Sequence, residues 1–376
     1  MRVVIFSESF LPLRTGVAKF TYELADNLHR RGHDVILITG DFEDHRDYPF
    51  RVIRLGKVGK VYANGSYTWF IKASPLKLRR VLKEIHNEKP IDVFHNQGPL
   101  GPPLSMLSAY IMKTVDDKVL RVGTFHSKRM GNPGPLKWVA PLLSVPMKVH
   151  HVLTAPSRST AREMEELFGV DVRVVPNGVD NRYFNENVPP YEPLMDGKRN
   201  VLFVGRFDER KGVDVLLWAW ERVSGVVNDV RLVLVGDGPL RGMVEEYRNK
   251  LGNIVVFDDI PMGDERLPRI YRSAEFCVFP AKGGEAFGIV IVEAFLSGKT
   301  AIVSDIEGYN EVACPQCALL VPPQDEEALS EAVLKLLSDE NLLGRLSRNA
   351  LGRGKEFSWD NVIRIFEGIY TSSAHL

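Results

Sequence analysis

The chain has 376 residues, 44% of them hydrophobic and 26% charged, which is the composition of a folded globular protein rather than a disordered one. Its length suits two or three domains of ordinary size. The formal net charge of zero conceals a division: residues 1–178 carry 26 Lys/Arg against 17 Asp/Glu (+9), and residues 179–376 carry 22 against 31 (−9). A basic half joined to an acidic half points to two domains with different partners, the basic one meeting something anionic and extended.

No stretch approaches the roughly 20 apolar residues of a membrane span, and "MRVVIFSESF" is too brief for a signal peptide. Three cysteines, Cys277, Cys314 and Cys317, cannot build a disulfide framework. A cytoplasmic protein is expected.

The first half opens with "RVVIF", a buried-strand pattern, then a loop containing Pro12 and Gly16. Val17, Phe20, Leu24 and Leu28 recur at helical spacing until Gly32 stops the helix. "VILIT" is the next strand. Residues 48–83 hold nine basic residues and no acidic one, interleaved with Tyr62, Tyr67, Trp69 and Phe70. Within them, Ser74 and Pro75 start a helix whose Leu78, Val81, Leu82 and Ile85 share one side. Lys77, Arg79, Arg80 and Lys83 spread over the remainder, and Lys72 precedes them. Such a helix can cover the sheet or lie on an anionic membrane, each nearby cation contributing about 1 kcal/mol. "IDVFH", "RVGTFH" and "HVLTAPS" supply later strands.

Residues 185–199, with three prolines and no apolar period, read as a linker. The second half repeats the grammar of the first with "NVLFVGRF", "VRLVLVGDG", "NIVVFDDI", "EFCVFP", "TAIVSD" and "ALLVPP". Short continuous apolar strands alternating with helices imply an α/β protein whose parallel sheets are covered on both faces. Two doubly wound, Rossmann-like domains are expected, facing each other across a cleft, with ligands beyond the C-terminal strand ends.

The strand-end loops carry the chemistry. In "VGRFDERKG", Arg206 offers a donor fork and Lys211 a point charge, suited to a departing diphosphate; two solvated surface cations is the plain alternative. Gly236, Gly238 and Gly242 form GxGxxxG rather than the dinucleotide fingerprint GxGxxG, and no ribose-binding acid follows. A tight strand-to-helix turn explains them, and no nicotinamide cofactor is expected.

"GGEAFGIVIVEAFLSG" (283–298) places Glu285 and Glu293 eight positions apart around an apolar segment. A helix is expected from about Phe287 to Gly298. The N–H groups of Phe287, Gly288 and Ile289 at its start would form an anion site, with Gly288 admitting a ligand close to the backbone. Fully helical, eight positions span about 12 Å, whereas a glycosidase pair sits about 5–9.5 Å apart. The two carboxylates suit the sugar and ribose ends of a nucleotide sugar better than one glycosidic bond; a cap plus an exposed helix glutamate is the alternative. "CPQC" (314–317) is a lone CxxC without a second pair, read as two thiols rather than zinc ligands, with a local disulfide left open. His95, His150 and His151 have no metal-ligand spacing and read as structural.

"GGEAFGIVIVEAF" resembles the E-x7-E motif of the retaining family-4 glycosyltransferases, which have the GT-B fold, and "VGRFDERKG" and "VVPNGVD" (174–180) resemble that family's segments in order and spacing. The likeness spans essentially the whole chain, including "FSWDNVIRIFEGIY", similar to a C-terminal helix that crosses back to the first domain. It implies domains at 1–184 and 200–356, a linker at 185–199 and a returning helix at 357–376. Within the family, "TFHS" (124–127) and "ANGSYTW" (63–69) look like parts of phosphatidylinositol mannosyltransferases, which use GDP-mannose.

That resemblance implies diphosphate contacts from Arg206 and Lys211, sugar contacts from Glu285, ribose contacts from Glu293, and His126 beside the transferred sugar. Gly16 and Gly284 would let loops approach the donor. In the family's retaining chemistry the leaving diphosphate accepts the acceptor's proton; no DxD marks a metal-dependent donor site, so no metal or other cofactor is expected beyond the nucleotide-sugar donor. The expected partners are GDP-mannose or a UDP-sugar, an anionic membrane surface reached peripherally through Trp69, Lys72 and the basic helix, and a lipid or polyol acceptor; nucleic acid is not expected. Thr15 and Ala18 stand where the mannosyltransferase pattern has Gly and Gln, and Trp69 where it has an arginine for the inositol phosphate. The acceptor pocket has therefore changed, leaving another phospholipid, a polyprenyl-linked glycan or a soluble polyol open.

Overall fold

The computed structural model describes residues 1–13, 15–43, 46–63, 66–101, 103–128, 136–261 and 263–372. The side chains of 62, 63, 66–68, 103 and 136–139 lie outside the description, and with them those of Tyr62 and Tyr67. The chain forms two compact units, Met1–Gly178 with Trp359–Leu376, and Val179–Ser358.

In the first unit the order is β1 (Arg2–Ser7), α1 (Gly16–Arg30), β2 (Asp34–Asp41), β3 (Arg51–Ala63), β4 (Ser66–Ile71), α2 (Pro75–Glu88), β5 (Val93–Gln97), α3 (Pro103–Val115), β6 (Leu120–Thr124), α4 (Leu136–Met147), β7 (Val152–Ala155), α5 (Arg158–Phe168) and β8 (Arg173–Val174). The sheet runs β4-β3-β2-β1-β5-β6-β7-β8. Every pairing is parallel except β3 with β4. The central strands are buried along their length, as their unbroken apolar runs require.

Local signals set the helix ends. The Thr15 side chain accepts the Ala18 N–H at the start of α1, and the Ser74 side chain accepts the Lys77 N–H with Pro75 as the first residue of α2. Leu78, Leu82 and Ile85 of α2 are buried in a cluster with residues of β1, β2 and β5. The apolar side of this helix therefore covers the sheet, leaving its cations outward.

The β3–β4 hairpin departs from the all-parallel expectation. Its strands are spaced by basic residues and glycines (RVIRLGKVGKVYA), so they lack the continuous apolar run that marks the others. The residues connecting them, 64 and 65, lie outside the described ones.

The second unit contains β9 (Arg199–Val204), α6 (Val213–Ser224), β10 (Val230–Val235), α7 (Arg241–Leu251), β11 (Ile254–Phe257), α8 (Arg266–Ser273), β12 (Phe276–Phe279), α9 (Ile289–Leu296), β13 (Ala301–Ser304), β14 (Ala318–Val321), α10 (Glu326–Ser338) and α11 (Glu340–Glu356). Its sheet runs β11-β10-β9-β12-β13-β14, all parallel. The GxGxxxG segment forms the turn from β10 into α7.

Residues 185–199 are not a free connector: Leu194 is buried in this unit's core, the Tyr191 N–H donates to Ser273 Oγ (2.7 Å), and Asn200 Nδ2 donates to the Leu194 carbonyl (2.9 Å). The division between units falls at 178/179 and 358/359, rather than around that segment.

The last helix, α12 (Trp359–Ser372), belongs to the first unit. Trp359 Nε1 donates to Glu23 (2.7 Å), and Arg31 grips Glu367 through two bonds (2.7 and 2.8 Å). Among the described residues no helix is long and apolar enough to cross a membrane.

Candidate functional site

Counted within itself, the second sheet has the strand order 3-2-1-4-5-6. Its order reverses between β9 and β12, and open α/β sheets bind ligands at such a switch point, beyond the C-terminal strand ends. The two loops at this point are Gly205–Gly212 and Pro280–Gly288, and both carry residues singled out by the sequence.

In the first loop the Asp208 carboxylate accepts the Lys211 N–H (3.0 Å) and caps a short 3-10 turn, Glu209–Lys211. Gly212 ends that turn at φ +70°, and a Cβ there would lie 1.9 Å from the Pro280 carbonyl oxygen. Only glycine allows the loops to touch so closely. The Lys282 N–H then donates to the Arg210 carbonyl (2.9 Å), and Lys282 Nζ pairs with Asp214.

The juxtaposition converges on Glu285. Lys211 Nζ lies 2.9 Å and Arg210 Nη1 2.8 Å from the same oxygen, Oε1. Arg210 Nη1 also donates to the Gly284 carbonyl (3.1 Å). Glu285 is only 7% exposed, and a carboxylate that buried needs charged or hydrogen-bonded partners. Arg206 stands apart from this cluster, exposed and 3.4 Å from Asp208 Oδ2. Arg210 was missed by the sequence reading, which weighed Arg206 and Lys211; which cation of "RFDERK" faces the carboxylate depends on the 3-10 turn.

Helix α9 begins at Ile289, two residues later than expected, with Gly288 as its N-cap at φ +105°. A Cβ on Gly288 would lie 2.8 Å from the Tyr309 ring and 2.9 Å from the Ile291 side chain, so these two side chains crowd this glycine within the protein. Phe287 is buried edge-on against Phe357, centroids 5.4 Å apart. Glu293 is buried in α9 and accepts the Tyr271 hydroxyl at Oε2 (2.9 Å). Burial, and then the Glu293 charge, hold the Tyr271 phenol well above its ordinary pKa. Since α9 starts at Ile289, the eight-position span between the carboxylates is helical only in its second half, and the fully helical separation does not apply.

The first unit has its own switch point between β1 and β5. Gly16 opens α1 there, and His126 follows β6. His126 Nε2 bonds to Gln97 Oε1 (2.8 Å), and its ring meets Phe20 edge-on at 4.9 Å. Burial pushes the imidazole down to about 3, so it is neutral near pH 7. Glu8, one residue past β1, accepts the Ile71 N–H at Oε1 (3.0 Å), while Oε2 has no partner among the described residues. Burial pushes its carboxyl up to about 7. Gln97, the partner of His126, was passed over by the sequence reading, as was the buried Glu8. His95 is structural: its ring nitrogens bond to Tyr370 and Thr124, both at 2.7 Å.

On the surface of this unit Lys72, Lys77, Arg79, Arg80 and Lys83 are exposed. Arg79 Nε donates to Thr114 Oγ1 (3.1 Å). Trp69 is half-buried against Phe42, centroids 6.1 Å apart. Among the described residues no three His, Cys, Asp or Glu side chains group as a metal site.

Comparison with known proteins now decides the family. Residues 14–183 match the model described as Glycosyltransferase Family 4, and residues 198–339 match that described as Glycosyl transferases group 1. The chain belongs to the family-4, group-1 glycosyltransferases. It is 29% identical over 364 residues to the phosphatidyl-myo-inositol mannosyltransferase of Mycolicibacterium smegmatis, covering 94% of this chain and 90% of that protein.

A glycosyltransferase from Rickettsia africae ESF-5 superposes with a TM-score of 0.78 at 20% identity, covering 99% of this chain and 98% of that one. Anabaena HepE, solved in complex with UDP, gives 0.76 at 15% identity, covering 99% and 100%. The structural neighbours are GT-B enzymes, and the two Rossmann-like halves of this glycosyltransferase are those of that fold.

Proposed function

We propose that this glycosyltransferase moves a mannosyl group from GDP-mannose, with retention at the anomeric carbon, to a phospholipid-type acceptor at an anionic membrane surface. The observation that carries the donor half is the pairing of Lys211 and Arg210 with Glu285 at the switch point of the second unit. Two cations around one carboxylate leave a local surplus of positive charge. A diphosphate fits beside it, and its growing negative charge in the transition state would be stabilised by cations already in place. In this reading Glu285 holds sugar hydroxyls, Glu293 the ribose, and the Gly284–Ile289 backbone the phosphates, with Arg206 swinging in from solvent. His126, neutral, serves as a hydrogen-bonding neighbour of the sugar, and the leaving diphosphate takes the acceptor's proton.

The mannosyl and lipid assignments are supported by the named mycobacterial relative and by the outward cations of α2. Because the apolar side of α2 is occupied by the core, the attachment is electrostatic and reversible, about 1 kcal/mol for each nearby cation. The UDP bound in HepE favours a second reading, a UDP-sugar donor with a soluble or glycan acceptor.

Thermal shift with GDP, UDP and ADP, followed by transfer from the matching mannose or glucose nucleotide to phosphatidylinositol vesicles, tests both. Stabilisation by GDP and a mannolipid product with an α-anomeric signal in NMR is the expected result. Stabilisation by UDP alone would replace the donor, and turnover only with soluble polyols would replace the acceptor.

A further inference from the structure

The CPQC turn is not among the residues assigned to the donor, and its geometry is specific. Cys314 and Cys317 close a hydrogen-bonded turn in which the Cys317 and Ala318 N–H groups both donate to the Cys314 carbonyl (2.9 Å each). The Cys314 N–H donates to Cys317 Sγ (3.0 Å), and the two sulfurs are in contact at 2.7 Å. The turn is held from outside as well: Asn349 Nδ2 donates to the Gln316 carbonyl (2.7 Å), and Arg353 Nε to the Val312 carbonyl (3.2 Å).

Exposure separates the two thiols. Cys314 is half-buried next to exposed Pro315 and Gln316, whereas Cys317 is 1% exposed. The third cysteine, Cys277, is fully buried on β12. Among the described residues no third His, Cys, Asp or Glu joins the pair as a metal ligand.

We propose that Cys314 and Cys317 form a thiol–disulfide exchange site for low-molecular-weight disulfides such as oxidised glutathione, with Cys314 attacking and Cys317 resolving. In the first step the Cys314 thiolate attacks one sulfur of the disulfide. The S–S bond breaks, one glutathione leaves as thiolate and takes up a proton, and a mixed disulfide remains on Cys314. In the second step Cys317 attacks the Cys314 sulfur, and its proton passes to the departing glutathione sulfur. The second glutathione leaves as a thiol, and the Cys314–Cys317 disulfide closes. Two protein thiols are oxidised and one glutathione disulfide is reduced to two thiols.

The order of attack follows from access. A small disulfide can reach the half-exposed sulfur, while the buried one meets only its neighbour. Burial, and then the Cys314 contact, push the Cys317 thiol up to about 12, which suits a group that stays protonated until an adjacent mixed disulfide offers it a target.

The pair ends the segment that starts at Gly308, where a Cβ would lie 2.1 Å from the Glu285 carbonyl oxygen, and the Ala313 N–H donates back to Tyr309 (2.8 Å). The site is thus built into the wall behind the Glu285 loop.

The full chain equilibrated with graded mixtures of oxidised and reduced glutathione, then acid-quenched, unfolded and alkylated for mass analysis, tests this. Wild type should lose two of its three alkylatable thiols and the mass of two hydrogens, retain no glutathione, and recover fully with dithiothreitol. Cys317→Ser should retain one glutathione on Cys314, and Cys314→Ser should retain none. Three alkylatable thiols in wild type under excess oxidised glutathione, or an adduct that never resolves, would overturn the site. Equal adduct formation on the two variants would overturn the order of attack; the wild-type measurement decides the site even where a variant misfolds.

Discussion

The two units share a strand order around their switch points, but the chemistry gathered there differs. In the second unit the loops after β9 and β12 bring Arg210, Lys211 and Glu285 together as a charged cluster. In the first, a neutral histidine after β6 bonds to the Gln97 amide at the end of β5, and the Glu8 carboxyl after β1, bonded to the Ile71 N–H, is pushed by burial up to about 7. One topology therefore carries two different sets of side chains. Fixed cations already in place suit a leaving group whose negative charge grows in the transition state.

The largest expected effect breaks the charged half. Lys211→Ala should lower kcat by about 10²–10³, the usual cost of losing one transition-state electrostatic contact, with an unchanged circular dichroism spectrum. Arg210→Ala should fall in the same direction, since it shares the Glu285 oxygen. Near-normal turnover in both purified variants would remove the cluster from the reaction.

In the first unit the test is pH rather than rate. The Glu8 carboxyl lies at about 7 in the folded chain against an ordinary 4.5, because burial opposes its ionisation. A folded pKa above the unfolded one contributes stability that is complete below 4.5 and is lost as pH rises through 7. Glu8→Gln removes the ionisation, so relative to wild type it should gain up to about 3 kcal/mol between about pH 4 and about pH 8. Urea unfolding of both chains across that range measures it; a difference independent of pH would show that Glu8 ionises freely in the folded state.

How far these two regions could be read beforehand follows the same division. The parallel sheets were legible because a strand buried on both faces must be apolar throughout, as in RVVIFS and VRLVLV. Glu285 and Lys211 could be singled out as candidates because their motifs are contiguous, although their ion pair could not be read from either motif. Arg210 was not legible, since its direction is set by the 3-10 turn, nor was the Tyr271 hydroxyl on Glu293, a partner 22 residues away. The β3–β4 hairpin was hidden by its basic residues and glycines, although Asn64–Gly65 is a strong hairpin dipeptide in sequence. The His95–Tyr370 bond joins residues 275 apart, beyond the reach of any local pattern. The lowered pKa of His126 was invisible, because desolvation depends on what packs around a group.

Gly212→Ala sharpens the origin of the charged cluster. At φ +70°, with the Pro280 carbonyl 1.9 Å from the new Cβ, alanine must push the two loops apart. A loss of about 1–3 kcal/mol is expected from the backbone strain, together with weaker binding of the nucleoside diphosphate as Lys211 leaves Glu285. Calorimetric unfolding and nucleotide titration on one sample would check this. Full stability with intact binding would mean that the loops meet without needing glycine.

The smallest effect separates the units most cleanly. Lys83 is exposed on α2, pointing away from the buried Leu82 and Ile85, and belongs to the first unit. If α2 docks on anionic lipid, Lys83→Ala should weaken sedimentation with phosphatidylglycerol or phosphatidylinositol vesicles about five-fold, the equivalent of about 1 kcal/mol. The difference should vanish as added salt shortens the Debye length towards about 3 Å at about 1 M. Donor hydrolysis without vesicles should stay at the wild-type rate, because the charged cluster lies in the other unit. Vesicle binding unchanged at low salt would leave α2 as a cover for the sheet alone, and a fall in donor hydrolysis would mean that the first unit's basic surface reaches the donor.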